Sequence, residues 1–204
     1  IPPVIHVIWL GPKHFPLESI ENIREWKRHH PHCTFKFWTD RDRFPPCAGM
    51  EVKRVEDFPF RRLASRYQES DNWAEKSDIL RFEILAQEGG IYIDHDADCL
   101  RSFDPLRRGY DFFAGLEAPH ATIDGLSLTL GIGLVAATPG HPIIERTIDL
   151  IDARWDRVTA DFSFSDEMSK AQRVMHRTYL PLTLATAGQL DSYLGDNIVF
   201  PAQY

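Results

Sequence analysis

Two carboxylates, Asp94 and Asp96, follow the apolar run Gly90-Ile91-Tyr92-Ile93, and a third, Asp98, lies two residues on. An extended strand alternates its side chains, so Asp94 and Asp96 are expected to point the same way from a strand end. Carboxylates gathered there make a hard-oxygen site suited to Mg²⁺ or Mn²⁺ holding a phosphate-bearing ligand. That points to an enzyme acting on a nucleotide-type substrate. Three such charges would repel one another without a counterion, which weighs against a plain solvated turn. An EF-hand loop fails twice, because its turn glycine would be Cys99 and its closing Glu would be Pro105. A phosphatase-type pattern usually carries Thr or Val where this chain has Asp98, and sits early in a chain rather than in its middle.

The preceding helix offers a second set. Asp78 and Arg81 are three residues apart and share a helix face. Taken alone they are an ordinary surface ion pair of small contribution. Only Gly89-Gly90 separates this helix from the acidic strand, so Arg81 could serve as a two-pronged phosphate donor. Asp78 could accept a hydrogen bond from a ribose or sugar hydroxyl. Trp9 ends an earlier strand ahead of Gly11-Pro12, where an indole either stacks on a nucleobase or packs into the core. His29, His30 and His32 gather at a helix end, which the helix dipole explains better than a metal does. His95 is expected to point away from its flanking carboxylates and is not assigned as a ligand.

The elements that must position these residues can be read along the chain. Val4–Leu10 reads as a buried strand, Leu17–His30 as a helix stopped by Pro31, and Phe35–Asp40 as a second strand. Strand, helix and strand in about forty residues imply parallel pairing with helices over the sheet. Val52–Val55 is expected as a short edge strand and Phe60–Tyr67 as a weak helix. Trp73–Glu88 is the clearest helix, with Leu80, Ile84 and Leu85 packing and Gly89-Gly90 as a left-handed cap. Tyr110–Gly115 and Leu130–Ala137 read as strands. Pro142 starts a helix striped with Ile143, Ile144, Thr147, Ile148, Ile151 and Trp155. Asp166–His176 and Leu182–Tyr193 are two further helices, and Asn197–Phe200 is a terminal strand. This order fits an open α/β sheet with ligands at the carboxyl ends of its strands.

Bulk properties narrow the partners. The 204 residues are 43% hydrophobic and 26% charged, as in one ordinary globular domain. A net charge of −7 argues against nucleic acid, which needs a basic surface. No apolar run is long enough to span a membrane. Cys33, Cys47 and Cys99 form no C-x-x-C pair, which indicates neither zinc nor a disulfide framework and suits a reducing compartment. The compartment itself is left unassigned, with a cytosol (bacterial, or a host's for an effector) favoured over the Golgi lumen. The start at Ile1-Pro2-Pro3, without methionine, reads as a trimmed end.

Three strings resemble the DxD-motif sugar transferases of glycosyltransferase family 32: Ile5-His6-Val7-Ile8-Trp9-Leu10-Gly11, Ala74 to Leu85 with its Ser-Asp-Ile-Leu-Arg, and Gly89 to Asp96. Thr138-Pro139-Gly140-His141-Pro142 is similar to that family's turn before a long helix. The family includes yeast-type initiating α-mannosyltransferases and is related to the catalytic cores of clostridial glucosylating toxins. The resemblance implies a GT-A type α/β fold, with a Rossmann-like nucleotide-binding half and a mixed central sheet covered by helices. Residues 1–100 would form the nucleotide-sugar half and 101–204 the acceptor-side half. It implies transfer of a hexose, with retention, from a UDP-sugar or GDP-mannose to a glycan, lipid or protein hydroxyl, dependent on Mn²⁺ or Mg²⁺. Trp9 would stack on the base, Asp78 and Arg81 would hold the sugar or diphosphate, and Tyr92 would line the nucleotide pocket. Asp94 would contact ribose or the metal's shell and Asp96 would ligate the metal. Asp78, Arg81 and Asp96 carry the catalytic assignment, and no base is assigned. Two departures stand out. Relatives often place an Asn where this chain has Leu130-Gly131-Ile132-Gly133-Leu134, and many close the metal site with a His-containing, Ser-Trp-like C-terminal segment. The chain stops at Tyr204 without one, so either that segment is missing or closure differs. The alternatives are a phosphotransferase or phosphatase with Asp94 as nucleophile, and a non-catalytic nucleotide-sugar binding module.

Overall fold

The run Val4–Trp9 forms strand β1, and its neighbours in space explain why it is apolar on both faces. A computed structural model describes residues 1–117, 123–189 and 195–202. The strands are β1 (Val4–Trp9), β2 (Thr34–Thr39), β3 (Glu51–Arg54), β4 (Gly90–Ile93), β5 (Phe112–Leu116), β6 (Leu130–Ala137) and β7 (Asn197–Phe200). They form one sheet in the order β3-β2-β1-β4-β6-β5-β7. β1 pairs parallel with β2 and β4, whereas β6 runs antiparallel to β4 and β5. The sheet is therefore mixed, as expected. The register Ile5↔Ile91 and His6↔Tyr92 brings the carboxyl ends of β1 and β4 together, so Trp9 and Asp94 leave the sheet at the same edge.

Helices α1 (Leu17–His29), α2 (Ala64–Glu69), α3 (Trp73–Glu88), α4 (Asp104–Gly109), α5 (Pro142–Asp161), α6 (Glu167–Val174) and α7 (Leu180–Gln189) complete the layers. One face of the sheet buries Ile8, Tyr92, Phe112 and Ile132 against Ile79, Leu80 and Ile84 of α3 and Ile144, Ile148 and Ile151 of α5. The other buries Ile5, Val7, Phe37 and Ile91 with Ile23 and Trp26 of α1. Helix α5 begins as expected, with Pro142 at its first position and the His141 ring accepting the Ile143 N–H.

Four expectations need correction. The helix expected at Phe60–Tyr67 begins later, at Ala64. The buried Glu83 carboxylate accepts the backbone N–H groups of Arg61, Arg62 and Leu63 at 3.1, 2.7 and 2.7 Å and holds that segment in a non-helical approach. Gly89 has a positive φ of 65°, but its ψ of −161° is not that of a left-handed cap. The chain instead swings straight into β4, where a Cβ on Gly90 would meet the Val4 carbonyl at 2.7 Å. The two late helices are continuous, joined by a π turn over Met175–Tyr179. Pro181 has no N–H to return to the Arg177 carbonyl, and its ring crowds that position, so the helix opens just before it. The part of Leu182–Tyr193 beyond Gln189 lies outside the described residues. Finally, His30 is buried and stacked on Trp26, with its Nδ1 on the Trp26 carbonyl and its Nε2 accepting the Phe103 N–H at 2.7 Å. It is a core linker rather than a charge at a helix end, and burial lowers its pKa.

His6 shows how β1 is keyed to both neighbours. Its Nδ1 accepts the Trp38 indole N–H at 3.2 Å and its Nε2 donates to the Gly89 carbonyl at 2.9 Å, which fixes a neutral tautomer. Burial pushes its pKa down to about 4, against the opposing pull of Gly89 and Glu88. A depressed histidine pKa stabilises the fold above the unfolded value near 6.5, and that contribution is lost as pH falls through about 4. The loss amounts to about 3 kcal/mol. In urea titrations, the stability advantage of wild type over His6→Gln should therefore shrink by about that much between pH 7 and pH 4. An advantage that stays constant across the range would rule the assignment out.

Candidate active site

Helix α3 carries the chemistry of its sequence on its buried side. Glu75, Asp78, Arg81 and Glu83 are all buried in it, so the surface-pair reading of Asp78 and Arg81 does not hold. Arg81 is 3% exposed, and a guanidinium taken out of water needs charged partners. Its Nη2 donates to Asp78 Oδ1 at 2.6 Å and to Asp94 Oδ1 at 3.5 Å, and its Nη1 donates to the Ile132 carbonyl. It also lies over the Tyr92 ring at 4.0 Å. Tyr92 donates its hydroxyl to Asp94 Oδ1 at 2.6 Å. The structure thus brings Asp78, Arg81, Tyr92 and Asp94 into one network spanning α3, β4 and β6.

Electrostatics follow from burial and pairing. Burial pushes the Asp78 carboxyl up to about 7, with Arg81 pulling the other way. Burial opposes the Arg81 charge, but Tyr92, Asp78 and Asp94 outweigh it and keep the guanidinium protonated. Burial also raises Tyr92 well above the usual phenol range. The Thr178 hydroxyl, in the π turn, lies 2.7 Å from the Val174 carbonyl and 3.2 Å from Asp78 Oδ2. Its neighbour Arg177 donates to both Glu75 carboxylate oxygens at 3.1 and 3.2 Å and sits 3.7 Å over the Trp155 ring. The π turn is thereby clamped onto α3.

The acidic segment is not extended. β4 ends at Ile93, and His95 and Asp96 form a turn in which the Ala97 N–H reaches the Asp94 carbonyl at 3.3 Å. Asp94 and Asp96 therefore do not share a strand face. Asp94 is half-buried under Arg81 and Tyr92, whereas Asp96 and Asp98 are exposed. His95 packs toward α1, with Nδ1 2.8 Å from Ser19 Oγ and its ring edge-on to Trp9 at 4.9 Å. Trp9 is partly buried, donates its indole N–H to the Lys13 carbonyl at 2.9 Å, and lines a cavity of about 550 Å³ with Trp73, Glu75, Ser77 and Lys170. Asp78, Arg81, Asp94 and Asp96 do not line that cavity; Ser77 adjoins it one residue before Asp78. Among the described residues, no group of three His, Cys, Asp or Glu side chains converges as a metal cage. Two carboxylates at an open turn nonetheless fit a hard cation that takes its remaining ligands from phosphate and water.

Sequence reading missed Thr178, the Arg177–Glu75 clamp and Gly133. The last had a signal in the Gly-x-Gly of β6. A Cβ at Gly133 would lie 2.7 Å from Asp94 Oδ2, while its carbonyl accepts the Asp94 N–H at 2.7 Å.

Residues 16–113 match a family described as the glycosyltransferase sugar-binding region containing a DXD motif. The chain is 31% identical over 163 residues to subversion of eukaryotic traffic protein A of Legionella pneumophila, covering 72% of this chain and 24% of that one. It is 30% identical over 148 residues to mannosyl phosphorylinositol ceramide synthase CSH1 of Saccharomyces cerevisiae, covering 72% and 34%. It thus spans about a quarter to a third of the length of these curated relatives. Among solved structures, the PaToxG glycosyltransferase superposes with a TM-score of 0.64 at 18% identity, over 94% of this chain and 70% of that one. The UDP-bound glycosyltransferase domain of the YGT toxin gives 0.57 at 10% identity, over 97% and 79%. At such identities the likeness speaks to fold, and the fold is GT-A-like, as expected. Motif, relatives and architecture agree: residues 16–113 carry the DXD-containing glycosyltransferase sugar-binding region, and the chain is similar to proteins of that family.

Proposed function

We propose that this chain transfers a hexose from a nucleotide diphosphate sugar to an acceptor hydroxyl, with retention and with Mn²⁺ or Mg²⁺ as cofactor. The observation that carries this reading is the buried Arg81, tied at once to Asp78 and Asp94 beneath the open Asp94–Asp96 turn. UDP is the favoured nucleotide, in keeping with the UDP-bound toxin domain, and GDP-mannose is the second choice, in keeping with the mannosyl-transferring relative. Residues 1–100 would supply most of the donor site and 101–204 the acceptor side.

Each residue then has a task. Trp9 stacks on the base at the cavity mouth. Asp78 accepts a hydroxyl of the sugar or ribose, held in place by Arg81 and Thr178. Arg81 and Tyr92 hold Asp94 Oδ1, so that Asp94 and the exposed Asp96 would hold the divalent ion with the diphosphate. When bound, that ion supplies charge stabilisation for the departing nucleotide diphosphate. The fixed guanidinium adds to the same field without reorganising.

Two measurements test this. Asp96→Asn should cut Mn²⁺-dependent hydrolysis of the preferred UDP- or GDP-sugar on the order of 100-fold, with thermal stability retained because the side chain is exposed. Undiminished turnover would sink the proposal. Trp9→Ala should raise KM for the donor on the order of tenfold while kcat changes little, since base stacking is uniform binding. A fall confined to kcat would remove Trp9 from the base pocket.

A further inference from the structure

Strand β6 lacks side chains at two positions on either side of Ile132, and a carboxylate fills the space at each. A Cβ on Gly133 would meet Asp94 Oδ2 at 2.7 Å, and one on Gly131 would meet Glu117 Oε2 at 3.1 Å. Neither glycine has a positive φ, so backbone conformation does not demand them. Glycine inside a strand then marks close approach by another group. The two positions are at most about 7 Å apart along an extended chain, which sets Glu117 beside Asp94 at sugar-ring scale.

Three further observations place Glu117 with the network. Its own N–H donates to the Thr129 carbonyl at 2.8 Å, which anchors its backbone beyond the end of β5. The β5–β6 register shifts between Ala114 and Leu116, and such irregularities re-aim side chains next to sites. Tyr179, next to Thr178, senses the same group. Burial raises its phenol to about 12, and the Asp78, Asp94 and Glu117 carboxylates add to that rise while Arg81 opposes it. Glu117 thus belongs to the charge environment of Asp78, Arg81 and Asp94 although it comes from the other half of the chain.

We propose that Glu117 is a sugar-binding residue of the donor site: its carboxylate accepts hydrogen bonds from ring hydroxyls of the transferred hexose, which lies along the bare backbone at Gly131 and Gly133. This rests on the sugar-transferase reading and adds the residue that would separate recognition of the sugar from recognition of the nucleotide. A carboxylate accepting from hydroxyls is a strong, directional contact, and a site built around it discriminates against ligands lacking the hydroxyl.

The test is calorimetry of the 204-residue chain with Mn²⁺, using UDP and UDP-glucose, with GDP and GDP-mannose in parallel. Glu117→Gln keeps the shape and removes the charge. It should raise Kd for the sugar nucleotide about tenfold and leave Kd for the bare nucleotide within about twofold. Gly131→Ala, which crowds the carboxylate while leaving it charged, should show the same selective loss. Equal losses for nucleotide and sugar nucleotide, or no loss in either variant, would overturn the assignment of Glu117. Wild type that binds neither nucleotide nor sugar nucleotide would instead overturn the transferase reading on which it rests.

Discussion

A guanidinium buried to 97% is the constraint around which the functional end of this molecule is arranged. Taking Arg81 out of water costs several kcal/mol unless charge and hydrogen bonds replace the lost solvent. Asp78 supplies the closest charge, Asp94 the second, and the Ile132 carbonyl and Tyr92 ring fill out its surroundings. Those partners come from three elements, so satisfying one side chain fixes how α3, β4 and β6 meet. Removing either carboxylate would leave a buried charge short of compensation, which makes the network structural as well as chemical.

The irregular features cluster around this hub. Gly133 leaves room for the Asp94 carboxylate, and the π turn ahead of Pro181 brings Thr178 to Asp78 and Arg177 to Glu75. The Gly89-Gly90 hinge lets the chain leave α3 and enter β4 without a connecting loop, so Arg81 and Asp94 stay within reach. Away from this end, the sheet and helices follow their patterns closely, as expected if local rules are broken only where a site requires it.

The same arrangement sorts the acidic residues by role. Asp94 is half-buried and held on one oxygen, while Asp96 is exposed on the turn that follows. A pair that alternation would have made equivalent is made inequivalent by the turn at His95 and Asp96. An open turn can supply carboxylate oxygens to an ion bridging to phosphate, whereas a closed cage would compete with the substrate for ligand positions.

Periodicity in the sequence was enough for β1, α1, β2, α3, β6 and the start of α5, because each is long, strongly patterned and bounded by Pro, Gly or a capping residue. The parallel β1–β2 pairing followed from the short strand–helix–strand unit. The spacing of Asp78, Arg81, Asp94 and Asp96 marked them as candidates. It could not show that Asp78 and Arg81 are buried, since charges three apart on a helix look the same on a solvated face. Nor could it show the turn after Ile93, the π turn, or the approach of Glu117 and Thr178. The burial of the Asp78–Arg81 pair and the approach of Thr178 depend on contacts between residues 13 to 100 positions apart, such as Arg81 with Asp94 and Thr178 with Asp78, and only the packed sheet and its helices create them. Local sequence determined which segments form and which side chains could do chemistry. The tertiary structure decided which of those charges lost their water, and a charge without water must be answered by whatever the fold brings beside it.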